Sequence, residues 1–201
     1  LSQGINFANS VIYPIGSETE QFTGSFNGNG KMLYNITLSY VAENSSIFDY
    51  VGKSGIIKNV IVQNIIITNG SNVGGIVGKN EGQIINVKVG CKQENGQYVY
   101  DGTSSISPYA TTDQYYSRVG GICGYNLGTI TNCESYALIA PRNDYAEVRS
   151  GGIAGENSGT ISYCYNYGDV GGTGTSKTQI FSNMSGGICG LNTSSISYCG
   201  N

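Results

Sequence analysis

Side chains able to do acid–base or nucleophilic chemistry are sparse in this 201-residue sequence, which has no histidine and only 13 Asp and Glu. Without imidazole there is no Ser-His pair, no histidine base and none of the usual His-containing zinc sets. Carboxylates remain. Glycoside hydrolysis usually needs two of them, about 5–5.5 Å or about 6.5–9.5 Å apart. The densest charged stretch is Arg142-Asn-Asp-Tyr-Ala-Glu-Val-Arg149, whose alternating signs read as a solvated loop held by exposed ion pairs. Asn27-Gly-Asn-Gly-Lys31 fails as a phosphate loop, because Met32 stands where Ser or Thr must bind magnesium. Gly171-Gly-Thr-Gly-Thr175 lacks the aspartate of a calcium-binding nonapeptide, and no CxxC metal pattern occurs. The expectation is a segment without catalytic residues, metal or cofactor.

Recognition is the other chemistry the residues could carry. Residues 92–118 hold Tyr98, Tyr100, Tyr109, Tyr115 and Tyr116, alongside Asp101, Asp113 and Arg118. Tyrosine offers a large, rigid, amphipathic contact surface at low entropic cost, which suits a binding loop. These eight residues are the candidate binding site, with a host glycan or host protein as partner. The alternative is that the tyrosines cover the side of the fold or pair as an added hairpin.

Such a loop needs a scaffold, and the composition describes one. Charged residues make up 11% of the chain against roughly 25% in an average soluble domain. The 31 glycines are about twice the usual share of ~7%. A formal net charge of −3 leaves no basic footprint for nucleic acid. The apolar runs are too short for the ~20 residues of a membrane-inserted span.

The scaffold is repetitive. Gly-Gly-Ile-x-Gly-x-Asn-x-x-x-Ile starts at Gly74, Gly120, Gly151 and Gly186, and a divergent copy occupies 47–60. Each copy contains two short β-prone runs separated by a Gly/Asn turn, and no 3.6-residue stripe is long enough for a helix. Units of strands and turns alone cannot bury an apolar side, but stacked units can, as in a parallel β-helix. Stacking predicts one ladder of Ile76, Ile122, Ile153 and Ile188, and another of Ile84, Ile130, Ile161 and Ile196. Asn80, Asn126, Asn157 and Asn192 would form a structural ladder at the turn, each amide satisfying its neighbour. The outward positions are Lys79, Tyr125, Glu156 and Leu191, then Glu81, Leu127, Ser158 and Thr193, and no acidic pair recurs among them.

The signature, with Pro14-Ile-Gly16 and Phe22–Thr37 before it, resembles the GLUG repeat of bacterial surface proteins. The resemblance implies a right-handed parallel β-helix in secreted or wall-attached proteins, including adhesins and the non-catalytic regions of immunoglobulin A peptidases. The expected fold is therefore an all-β, right-handed parallel β-helix (solenoid) of six or seven rungs with a long loop insert at 92–118. One domain over 1–201 is expected, with N-terminal rungs at 1–69 and four repeats at 70–201. The chain lacks an initiator Met and a leader, so further repeats or domains of the same polypeptide are expected. The function implied is a non-catalytic stalk or adhesion module at the cell surface. The alternative is an accessory region of a secreted peptidase or polysaccharide-degrading enzyme.

Six cysteines bear on the compartment. Cys133, Cys164 and Cys199 share one repeat position with Val87, and Cys123 and Cys189 share another with Val77 and Ala154. Small apolar replacements suit buried free thiols. Ten-residue disulfide loops, Cys123–Cys133 and Cys189–Cys199, are the other arrangement the spacing allows.

Overall fold

The computed structural model describes residues 1–8, 12–39, 43–110, 116–143, 146–174 and 183–201. Every element among them is a strand. The strands stack in parallel ladders that together form a β-solenoid of about five turns. The longest face runs through Ile5–Asn6, Ser25–Leu38, Ile56–Ile67, Gln83–Val89, Thr129–Thr131, Thr160–Ser162 and Ser195–Ser197. A second face stacks Phe48–Val51, Val77–Asn80, Cys123–Asn126, Ala154–Asn157 and Cys189–Asn192. A third stacks Asn72–Gly74, Tyr116–Gly120, Glu147–Gly151 and Met184–Gly186. The turn count falls short of the six or seven expected because the N-terminal end supplies full strands to the longest face alone. On the second face that end contributes isolated bridges, Ile15 to Phe48 and Phe22 to Val51.

The repeat alignment is the register. Gly120 pairs with Gly74 and Gly151, Cys123 with Val77 and Ala154, and Ile130 with Ile84 and Ile161. Ile76, Ile122, Ile153, Ile84, Ile130 and Ile161 are all fully buried, each contributing roughly 1.5–3 kcal/mol of transfer free energy. Ile188 and Ile196, in the last described turn, are partly buried.

Two kinds of bend close each turn. At the first, Asn80 donates its amide to Asn126 Oδ1 at 2.8 Å, Asn126 to Asn157 at 2.7 Å, and Asn157 to Asn192 at 2.7 Å. Asn80, Asn157 and Asn192 also accept from the backbone two residues on, as Asn80 Oδ1 does from Gly82 N–H at 3.1 Å. Beside Asn157 the space suits glycine, since a Cβ on Gly159 would lie 2.1 Å from the Gly128 carbonyl oxygen, whereas the last bend carries Ser194 at this position. At the second bend the chain passes through left-handed backbone at Asn59, Asn86, Asn132, Tyr163 and Tyr198, with φ of 53° to 56°. Asparagine tolerates this region; tyrosine does so at greater steric cost.

The insert is not one long loop. Cys91–Glu94 and Gln97–Tyr100 form an antiparallel hairpin outside the parallel ladders. Beyond it, Ser105–Ile106 pairs with Ile66–Ile67 and Leu138–Ile139, and Tyr116–Gly120 belongs to the third face. The described residues of its second half, 105–110 and 116–118, are therefore an ordinary part of a turn. Its pairings are all to distant segments, so local composition does not report them.

All six cysteines are free thiols. Cys133 N–H points at Cys164 Sγ and Cys164 N–H at Cys199 Sγ, both at 3.4 Å, which is the stacked arrangement rather than the disulfide one.

Candidate functional site

The six described candidate residues are spread over different elements. Tyr98 and Tyr100 lie on the hairpin, Tyr109 on a small fourth ladder, and Tyr116 and Arg118 on the third face. Asp113 and Tyr115 fall outside the described residues.

Arg118 is committed internally. It sits in register with Asn72 and Arg149 on neighbouring strands. Its Nε donates to Glu156 Oε2 at 2.5 Å and its Nη1 to Asn72 Oδ1 at 3.1 Å. Arg149 donates to the same Glu156 oxygen and, through Nε, to Glu147 Oε1 at 2.6 Å. The Tyr116 ring lies 3.9 Å from the Arg149 guanidinium and the Tyr125 ring 4.6 Å from that of Arg118. Burial works against the Arg149 charge, but the two carboxylates outweigh it and move its pKa up. Two expectations are corrected here. Glu156, read as outward, is only 7% exposed, and Arg149, read as part of a solvated loop, is 8% exposed on a strand. A carboxylate between two guanidinium groups is held by complementary charge, which repeat spacing alone does not disclose.

Asp101 is committed too. Its carboxylate accepts from the Asn64, Thr103 and Ser104 amides and from the Thr103 and Ser104 hydroxyls. Burial pushes its pKa up, but these hydrogen bonds prevail and hold it below the usual carboxylate range. It fastens the segment after the hairpin to the longest face.

Tyr98 and Tyr100 have company that the insert does not contain. Strand alternation turns Glu134 to the outside while Ser135 points in, Tyr136 just beyond them is covered to 9% exposure, and in the next turn Tyr165 and Tyr167 are exposed while Asn166 points in. The Tyr136 and Tyr167 rings stack with centroids 4.7 Å apart, and Tyr165 follows at 6.5 Å from Tyr167. Lys88 pairs with Glu134 and stands 4.8 Å from the centre of the Tyr98 ring. Tyr136 donates its hydroxyl to Glu134 Oε2 at 2.8 Å. Two clefts meet at this stack. One of about 210 Å³ is lined by Tyr100, Tyr136, Leu138, Tyr167, Gly168 and Asp169. The other, about 330 Å³, is lined by Lys88, Gln97, Tyr98, Glu134, Tyr136 and Tyr167. The available signal was Tyr163-Cys-Tyr-Asn-Tyr167, in which three of five residues are tyrosines at spacing two.

Residues 115–135, which contain the second repeat copy, match the family model described as the GLUG motif. A stretch of 76 residues, 37% of the chain, is 37% identical to Halomucin of Haloquadratum walsbyi. The match spans 1% of the length of that relative. No solved structure matches the chain.

Proposed function

We propose that this chain is a non-catalytic display module of an extracellular, cell-surface protein: a stiff solenoid that carries variable side chains on its outside and contributes to adhesion. The observation that carries the reading is the division between inside and outside. Buried ladder positions repeat one residue, as at Asn80, Asn126 and Asn157, while the part-exposed neighbours Lys79, Tyr125 and Leu191 differ from turn to turn. A scaffold held constant under a changing surface suits presentation better than catalysis. The GLUG motif and the likeness to Halomucin support a repeat region of a surface protein.

Within this reading the hairpin tyrosines, Tyr98 and Tyr100, make the contacts, with a host glycan or host protein as the partner. Arg118 and Asp101 shape the scaffold instead. The test is antibody labelling of producing cells with serum raised against the 201-residue chain. Labelling of intact cells, abolished by external protease, is the expected result. Labelling that requires lysis overturns the reading.

A further inference from the structure

The geometry points to a binding site for an uncharged glycan in the paired clefts between the hairpin and the Tyr136–Tyr167 stack. This deepens the adhesion reading and rests on it. The site is assembled from four separate parts of the chain: Lys88 on one strand of the longest face, Tyr98 and Tyr100 from the hairpin, Glu134 with Tyr136 from the next turn, and Tyr167 from the turn after that.

The lining selects the ligand. Tyr167 is 61% exposed and Tyr100 43%, so apolar ring surface is available on both sides of the groove. The face of an aromatic ring is electronegative and attracts weakly positive C–H edges, which the flat side of a pyranose supplies. Hydroxyls at the sugar rim need acceptors and donors, and Glu134, Asp169 and Gln97 provide both kinds. Lys88 and Glu134 neutralise each other, and Asp169 leaves the groove with one formal negative charge. Sulfated or carboxylated sugars are therefore repelled, and neutral ones are not. The acceptors are also held in place: the Tyr136 hydroxyl and the Lys88 ammonium both fix the Glu134 carboxylate before any ligand arrives.

A second observation extends the platform. Tyr163 and Tyr198 stack at 4.9 Å with rings 6° from parallel, two residues before Tyr165 and Gly200. They occupy the left-handed bend that Asn59, Asn86 and Asn132 fill in the preceding turns. Tyrosine there is a conformational cost that asparagine largely avoids, and both rings stay exposed, at 52% and 71%. Burial does not explain the exchange; an aromatic edge continuing the groove does.

The test is electrophoresis of the 201-residue chain through native gels containing dextran, mannan, galactan, xylan or hydroxyethyl cellulose, with dextran sulfate as the charged control. At least one neutral polymer should retard the protein. Tyr100→Ala and Tyr167→Ala should each weaken that retardation by about five- to ten-fold, the scale of one lost aromatic contact. Tyr13→Ala, at an 81% exposed tyrosine that lines neither cleft, should change nothing. Circular dichroism confirms that the variants fold. No retardation by any neutral polymer, retardation by dextran sulfate alone, or retardation that survives both cleft variants overturns the site. If intact cells are nevertheless labelled by the serum described above, the display reading stands and only the ligand assignment falls. Binding to immobilised serum or matrix proteins that is lost in Tyr100→Ala, without neutral-polymer retardation, would assign the groove to a protein ligand instead.

Discussion

Asn126 donates its side-chain amide to Asn157 Oδ1 at 2.7 Å from one turn to the next, with both residues wholly buried. Asn126 and Asn157 each accept from one neighbour in that ladder and donate to the other, and each also bonds the backbone of its own bend. Removing one member leaves polar groups stranded in two adjoining turns. Asn157→Ala should therefore cost about 2–4 kcal/mol, since one or two buried groups lose their partners. Urea denaturation followed by circular dichroism checks this. A loss below about 0.5 kcal/mol would mean that water or relaxation replaces the ladder.

Glu156 stands between Arg118 and Arg149. Glu156→Ala deletes the shared carboxylate, leaving Arg118 without its counter-charge and Arg149 with Glu147 alone in a largely buried setting. A loss of about 3 kcal/mol is expected, at the low end of the range for broken buried pairs because the arginines keep some solvent contact. Thermal unfolding measures it. The next turn already places Leu191 at this position, across from Glu156, so the requirement belongs to the arginines rather than to the fold.

Asp49 provides the pH dependence. Burial raises its carboxyl to about 7, against the opposing hydrogen bond from the Ser46 amide. The folded state thus keeps a proton that the unfolded chain releases near 4. Between those values, stability falls as pH rises. The urea midpoint should climb when the pH is lowered from 8 to 5, and Asp49→Asn, which retains an acceptor for Ser46, should flatten that slope. Asp101 is displaced in the opposite direction, so its contribution is lost only at more acidic pH.

Thiol titration separates the cysteine arrangements. In denaturant without reductant, six sulfhydryls should react. In the folded protein at pH 8, Cys91 should stay silent, because burial pushes its thiol up to about 12. Cys123 and Cys133 should be silent too, being fully enclosed and raised by burial. Cys199, which is part-exposed, should react first. Fewer than six thiols after unfolding would restore the disulfide pairing.

What could be read from the sequence was what repeats. The identical offsets of Gly-Gly-Ile, Asn and Ile put Ile76, Ile122 and Ile153 in one ladder, because a parallel stack turns equal spacing into equal position. What could not be read was what one turn does for another. Arg118 and Glu156 are 38 residues apart in different repeat positions, and nothing near either names the partner. The tyrosine-rich stretch looked like a loop because Ser105–Ile106 and Tyr116–Gly120 take their pairing from strands far away in sequence. The groove was missed for the same reason. Tyr98 and Tyr167 are in unrelated segments, and only the stacking of one turn on the next brings them to one cleft.

The bend-to-bend register has a mechanical meaning. The 31 residues that separate Asn126 from Asn157 lengthen the stack by ~4.8 Å, the spacing of one strand. Drawn straight, the same residues would reach roughly 100 Å. Each turn is thus a coil of stored slack, about twenty times longer than the height it occupies. Pulled along its axis and peeled from one end, such a rod would lengthen in long, discrete steps, absorbing a tug that a taut tether would pass on to whatever it holds.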